Sequence, residues 1–514
     1  MPSKVEVVLL FASLLSVALL VIYYENTHLA AVLYRRTSGA VTEYTRSNLT
    51  TEWTTTPSTT TTKRKLREYN VYVMNAYLIG DEHVRIILLT KCKYFANLLI
   101  HCGNEYMYPI DLELLEDCPP GWISHCTYSG QYGNAKIPTR LTEEILTGNK
   151  TLRISYADET SFSHPLRLID SRTSTGRKPT HKLAVCAYPV VQMTDWTQLV
   201  RFMESWIAHG ATKFFIVFQS SSTEFDAMLR IYENDERIDV ERVHWGVLPT
   251  AANISLEEDP NGNVNRAEQL LATNDCLLRA RGQADYVATV DLDEVFVIRS
   301  NSTMLQTLNE LTAGSPDAGA VIFRSSYGTF RNEWENATHP AQLNFDIHRE
   351  IMLENVVWGV GQMSKMILRP EKIKVAGVHY VVKMEDPMSS SITVDPEVGK
   401  IHHLRLVHWM YAATNKSSPN HEFQKYIPQW TEQYKRRLAA EKQRLKTSKA
   451  RSTLTLLNVT WPNRGPKVMQ ELEDCMLAMM HKGNTCPAHY KCTNDLKSIR
   501  NDEWLYAKQT WIVL

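Results

Sequence analysis

Tyr286-Val-Ala-Thr-Val-Asp-Leu-Asp-Glu294 is the stretch from which the architecture of this chain can be read. A short apolar strand runs straight into two aspartates spaced i, i+2. Two carboxylates at the end of a buried strand need a cation, or one of them must take up a proton. Mg²⁺ or Mn²⁺ with a phosphate-bearing substrate is the usual solution. A solvated acidic turn is the other reading of D-x-D, and the surrounding sequence has to separate the two.

On both sides of this stretch, apolar strands alternate with amphipathic helices. Strands are predicted at 183–187, 214–218, 238–243, 285–290 and 320–323. Helices are predicted at 196–209, 224–234, 264–281 and 302–312, with Gly210 and Gly282 as stops. This alternation predicts an α/β fold with a mainly parallel sheet covered on both faces. Such sheets bind ligands at the carboxyl ends of their strands. Asp291 and Asp293 fall there, and so do Tyr188 and Pro189 after the first strand.

The rest of the 514-residue chain reads as further parts. Residues 7–24 (VVLLFASLLSVALLVIYY) form an uncharged apolar run just long enough to span a bilayer. Lys4 precedes it and Glu25 follows, so the expectation is a signal anchor with a cytosolic tail at 1–6 and the remainder lumenal. A cleaved signal peptide ending near Ser16-Val-Ala18 is the rival. Residues 25–68 are expected to be a Ser/Thr-rich stalk, carrying Thr54-Thr-Thr-Pro-Ser-Thr-Thr-Thr-Thr62. A β-rich domain is expected over 69–178, the α/β domain over 179–450, and a small cysteine-containing cap over 451–514.

Seven Asn-x-Ser/Thr sequons, at Asn48, Asn149, Asn253, Asn301, Asn336, Asn415 and Asn458, suit a lumenal chain. The nine cysteines suit one too. Cys92, Cys102, Cys118 and Cys126 cluster, as do Cys475, Cys486 and Cys492, and each cluster reads as a local disulfide framework. Cys186 and Cys276 lie in apolar elements, where a buried thiol is the commoner fate and pairing the alternative. Lys+Arg and Asp+Glu balance at 56 each, so no net field draws the chain to nucleic acid. The basic stretch at 418–451 reads as a solvated helix face rather than a lipid or nucleic-acid contact.

Three functions fit an aspartate pair in this setting. One is a metal-dependent glycosyltransferase, whose cation neutralises the departing diphosphate. Another is a haloacid-dehalogenase-type phosphatase, with Asp291 as nucleophile and Asp293 as general acid. The third is a lumenal glycan-binding protein that keeps the fold without catalysis. The phosphatase reading conflicts with position, because its motif belongs on an opening strand and here a long strand–helix alternation precedes Asp291.

A series of motifs carries a resemblance. Cys186-Ala-Tyr-Pro, Trp206-Ile-Ala-His-Gly210, Phe214-Phe-Ile-Val-Phe, Asn274-Asp-Cys-Leu-Leu-Arg279 and Asp291-Leu-Asp-Glu294 follow one another in order. Lys365-Met-Ile-Leu-Arg-Pro370, Gly377-Val-His379 and Leu404-Arg-Leu-Val-His-Trp409 continue it. Over residues 182–426 the chain resembles glycosyltransferase family 92. The resemblance implies a GT-A fold, a UDP-galactose donor, Mn²⁺ and inversion at the anomeric carbon. It also implies galactosylation of glycans, fucose on N-glycan cores among them, by a Golgi enzyme of type II topology. Two positions depart from the family pattern: Trp409 after His408, where tyrosine is usual, and Gln219 after Phe218.

Roles transfer only where motifs match. Asp291 and Asp293 are expected to hold the metal, with His379 and His408 completing the shell and His403 a further candidate. Tyr188, Pro189, Arg266, Asn274, Asp275, Asp291, Lys365 and Arg369 are expected to meet the donor. The catalytic base is expected after the D-x-D, with Glu333, Glu335, Asp346, Glu350 and Glu354 unranked.

Overall fold

Strand Ala284–Val290 is buried along almost its whole length, as its apolar composition requires. It lies inside a seven-stranded sheet in a computed structural model of the chain. The described residues are 69–118, 126–173, 178–251, 253–330, 337–404, 417–447, 461, 464–483, 485–499 and 503–514. The tail, anchor and stalk expected over 1–68 lie outside them. Among the described residues no helix is long and apolar enough to cross a membrane.

Four strands of the central sheet run parallel in the order Asp239–His244, Lys213–Phe218, His181–Val190, Ala284–Val290. The mainly parallel sheet expected from the sequence is then corrected to a mixed one. Strand Lys365–Leu368 lies antiparallel between Ala284–Val290 and Ala318–Phe323, and Ser390–Thr393 pairs in parallel on the outer side. A parallel neighbour needs a crossover that returns the chain to the opposite edge. Here the chain leaves Ala318–Phe323 at the carboxyl edge and passes through strands Ser325–Phe330 and Ile351–Glu354 of another sheet. It then re-enters from that same edge, so Lys365–Leu368 must run backwards.

Strand His181–Val190 comes first in the chain; its successors Lys213–Phe218 and Ala284–Val290 pair on opposite sides of it. The order of the sheet reverses there, and the crevice between His181–Val190 and Ala284–Val290 is the switch point at which α/β sheets bind ligands.

Helix Trp196–Ala208 is capped by Asp195, which accepts from the Thr197 and Gln198 amides. Helix Thr223–Glu233 is capped by Ser222. The helix expected from 264 begins later, at Gln269–Ala280, because Arg266, Ala267 and Glu268 adopt φ of 46°, 55° and 58°. Three consecutive left-handed residues cannot continue a right-handed helix.

The second sheet orders as Glu294–Ile298, Gly399–Leu404, Ser325–Phe330, Ile351–Glu354 and Ser417–Asn420. Its side chains share one apolar core with helices Trp196–Ala208 and Ile427–Thr447. Among the described residues of 69–178, Tyr72–Leu78, His83–Lys91 and Tyr128–Lys136 pair antiparallel in a β-rich region. It packs on helix Gln269–Ala280 so closely that a Cβ on Gly130 would stand 2.8 Å from Leu271 Cδ1.

The cysteine expectations change in detail. Cys92 pairs locally with Cys118, and Cys475 with Cys492. Cys126 instead reaches Cys486, joining the two expected local frameworks to each other, and Cys102 stays a buried thiol. Cys186 and Cys276 pair rather than remaining thiols, because strand and helix bring them face to face.

The expected C-terminal cap contains helices Gly465–His481 and Thr485–Asn494 and a final strap. In the strap, Trp504–Tyr506 pairs with Ser220–Ser222, and Ile512–Val513 with Tyr72–Val73. Trp511 packs on Trp245 at 5.1 Å between centroids and donates to Gly246 O. The sequon residues Asn149, Asn253 and Asn301 are exposed, while Asn48, Asn336, Asn415 and Asn458 lie outside the described residues.

Candidate metal and donor site

The two aspartates end the apolar strand and begin a turn into Glu294–Ile298. The turn is locked twice: Asp291 N donates to Glu294 Oε2 at 2.9 Å, and Leu404 N donates to Asp293 O at 2.8 Å. The second lock brings in strand Gly399–Leu404, in which His403 pairs in register with Glu294.

Asp291, Asp293 and His403 each offer a ligand atom, and these atoms lie within 4.8 Å of one another. His403 Nε2 is 3.1 Å from Asp293 Oδ2. Its Nδ1 lies 3.6 Å from Glu294 Oε1, so a buried carboxyl backs the ring on its other side. Two carboxylate oxygens and one imidazole nitrogen suit Mn²⁺ and related divalent cations. A carboxyl behind the imidazole is the usual device for orienting a metal-ligating histidine.

Lys365 stands beside this group because its strand runs backwards. Lys365 opens Lys365–Leu368, so its residue reaches the carboxyl edge of the sheet beside Asp291. Its Nζ is 2.9 Å from Asp291 Oδ2 and 3.4 Å from Glu294 Oε2, and it lies 4.3 Å from the Tyr188 ring centroid. Burial opposes the Lys365 charge, but Asp291 and Glu294 outweigh it and hold the ammonium above the ordinary lysine range. Burial likewise opposes the Asp291 charge, and chiefly Lys365 keeps that carboxyl below its ordinary value. Glu294 goes the other way: burial pushes it up to about 8 in spite of Lys365.

Tyr188 is buried, and its hydroxyl donates to Val378 O at 3.3 Å. Burial pushes that hydroxyl up to about 12. Pro189 follows it near the end of strand His181–Val190. His379 Nδ1 is 3.0 Å from Ser364 O, the residue before Lys365. A ring that donates from Nδ1 to a carbonyl presents an Nε2 lone pair. Burial and then Lys365 push His379 down to about 3, so it stays neutral.

Other expected donor residues lie elsewhere. Arg369, at the far end of the lysine strand, donates to Pro316 O and Ala318 O and lies at the amino edge of the sheet. Four residues at about 3.4 Å each carry it away from the site. Asn274 and Asp275 are fully buried against the β-rich region. Asn274 accepts from Tyr132 Oη and Ala376 N, and Asp275 accepts from Tyr77 Oη and pairs with Arg279 at 2.7 Å. Arg266 is exposed in the left-handed turn before their helix.

Asp346 is exposed and paired with Arg349 at 2.7 Å. Glu350 is half-buried just before strand Ile351–Glu354, which ends in Glu354. Glu333, Glu335 and His408 lie outside the described residues. Residues missed by sequence reasoning are Glu294, adjacent to the D-x-D, and Tyr327, whose ring stacks on His403 at 5.1 Å and 22°. Cross-strand register would have found both, but sequence does not state register.

Residues 181–453 match the family described as glycosyltransferase family 92. The chain belongs to glycosyltransferase family 92. Two Caenorhabditis elegans proteins described as glycosyltransferase family 92 proteins are similar to this family 92 chain. One is 25% identical over 248 residues, covering 48% of this chain and 46% of that protein. Another is 22% identical over 200 residues, covering 38% and 37%. The chain therefore spans less than half the length of these curated relatives. A crystal structure of UDP-glucose pyrophosphorylase complexed with UDP-glucose covers 50% of this chain and 99% of its own. Its TM-score of 0.20 and 10% identity carry no argument.

Proposed function

We propose that this family 92 chain is a metal-dependent, inverting galactosyltransferase of GT-A type that transfers from UDP-galactose to a glycan. Fucose on an N-glycan core is one such acceptor. The observation that carries the reading is the meeting of Asp291, Asp293 and His403 with the buried Lys365 at the switch point of the sheet. Asp291, Asp293 and His403 would hold Mn²⁺ or another divalent cation, with His379 beside them and His408 as a further ligand. Such an ion, when bound, neutralises charge on the diphosphate. The Lys365 ammonium adds a fixed positive charge for the leaving group. Tyr188 and Pro189 line the crevice where the rest of the donor would lie.

The galactosyl donor, the glycan acceptor and Mn²⁺ rest on the family resemblance. The Golgi lumen and a membrane anchor rest on the apolar run at 7–24, the Ser/Thr stalk and the sequons. The test is a donor screen of the secreted lumenal part: UDP release from each UDP-sugar, with glycan acceptors, with and without Mn²⁺. Mn²⁺-dependent release from UDP-galactose that disappears in Asp293→Ala is the expected result. Retained transfer by Asp293→Ala would remove the metal role. Glycan binding with no turnover on any donor would favour a non-catalytic lumenal binding protein.

A further inference from the structure

Glu354 lies at the end of a row that starts at the metal triad. Across the second sheet, Glu294 pairs with His403, and His403 pairs with Tyr327. Gly328 pairs with Leu353 in an antiparallel ladder that stops there; one step beyond it, Tyr327 N donates to the side chain of Glu354. Side chains in one cross-strand row share a face. Glu294, His403 and Tyr327 therefore project from the same side of the sheet, and the Glu354 carboxyl lies against the Tyr327 backbone at the end of that row. At about 4.8 Å per strand, Glu354 stands two strands, roughly 10 Å, from His403. Gly328 makes room for two neighbouring side chains: a Cβ there would stand 2.6 Å from Leu353 Cδ2 and 3.0 Å from Leu404 Cδ2.

The carboxyl of Glu354 is asymmetrically held. Oε1 accepts from Tyr327 N at 2.6 Å and from Trp358 Nε1 at 2.5 Å. Among the described residues Oε2 accepts no hydrogen bond. The loop that supplies Trp358 is itself pinned, because Trp358 N donates to Ser325 O and Arg324 donates to Trp358 O and Val357 O. One oxygen is fixed, and the other is left without a donor among the described residues at the end of the row that begins at the triad.

We infer that Glu354 is the general base of the transfer, with Oε2 taking the proton of the attacking acceptor hydroxyl. This rests on the glycosyl-transfer reading above. The acceptor oxygen forms a bond to the anomeric carbon, and the bond from that carbon to the UDP β-phosphate oxygen breaks. Its electron pair leaves with UDP, and the acceptor proton passes to Glu354. Burial supports the role by holding the Glu354 carboxyl above the ordinary glutamate range, against the two donors on Oε1. Asp346, exposed and paired with Arg349, and Glu350, before the opposite end of the same strand, lie outside this row.

The test compares wild type, Glu354→Gln and Glu354→Asp with UDP-galactose, a core-fucosylated N-glycan and Mn²⁺. Glutamine keeps the oxygen to which Tyr327 and Trp358 donate and removes only the proton acceptor. The expected result is a fall in kcat of about 10²- to 10⁴-fold in Glu354→Gln, with the KM for UDP-galactose within about threefold of wild type. Glu354→Asp should keep an intermediate rate. A Glu354→Gln variant with wild-type kcat overturns the inference and leaves the transferase reading standing. A Glu354→Gln variant that loses its melting transition, or loses donor affinity in step with kcat, assigns Glu354 a structural role and also overturns it. A wild-type protein that releases no UDP overturns the transferase reading, and the inference with it.

Discussion

Lys365 Nζ and Asp291 Oδ2 lie 2.9 Å apart, the ammonium fully buried and the carboxylate one-third exposed. The same ammonium lies 3.4 Å from Glu294 Oε2. Burial raises Glu294, while Lys365 and Asp291 hold each other charged. A divalent cation held by the aspartates would add positive charge beside that of Lys365, where a departing diphosphate would need it. The backward strand is therefore an electrostatic device as well as a topological one.

Lys365→Met should remove the counter-charge from the one-third-exposed Asp291 carboxylate. Breaking a buried ion pair from one side costs about 3–5 kcal/mol. Because solvent screens the one-third-exposed Asp291, denaturant unfolding should show a loss at or below the lower end of that range. UDP release should fall with it, and a variant of wild-type stability would mean that Lys365 does not hold the carboxylates in the folded protein.

Glu294→Gln addresses the support of His403. Glu294 Oε1 lies 3.6 Å from His403 Nδ1, and its Oε2 accepts from Asp291 N. Glutamine preserves the shape and an acceptor oxygen. If His403 holds a metal as proposed, changing the group behind it should cost about 10- to 100-fold in affinity or activity. Titration with Mn²⁺ followed by electron paramagnetic resonance should show affinity reduced by about that factor. Unchanged affinity would detach Glu294 from the metal group.

The sequence was most legible where one period rules one element. The apolar run 285–290 had to be a strand, and its helical and β neighbours from 183 to 323 follow the same logic. It was least legible where pairing partners come from far along the chain. His403 meets Asp293 through a register set 110 residues later. The direction of Lys365–Leu368 depends on which edge the chain returns to, which no local pattern encodes. Asn274 and Asp275 looked available on a helix before the D-x-D strand, yet the β-rich region covers them.

Asn274→Ala separates these roles. Asn274 donates to Leu270 O and Ala376 O, and accepts from Ala376 N and Tyr132 Oη. Alanine leaves buried partners unsatisfied at about 1–3 kcal/mol each for those that find no substitute. A loss of roughly 2–4 kcal/mol in unfolding free energy is expected, with the KM for UDP-galactose unchanged. A raised KM in a stable variant would return Asn274 to the donor site.

Glu268 gives the pH dependence of the same junction. It is buried in the left-handed turn, accepts from Gly130 N at 2.7 Å, and is pushed up to about 8 by burial. A carboxyl raised by folding binds its proton more tightly in the folded state than in the unfolded one. Its contribution is favourable below the unfolded value near 4.5, and is lost as pH rises toward about 8. Within that window the loss approaches about 1.4 kcal/mol per pH unit. Glu268→Gln keeps an acceptor for Gly130 N and removes the titration. Melting temperature plotted from pH 5 to 8 should therefore decline less steeply in Glu268→Gln than in wild type, with the variant the more stable at pH 8. Parallel curves for the two proteins would show that Glu268 keeps its ordinary affinity for protons in the folded chain.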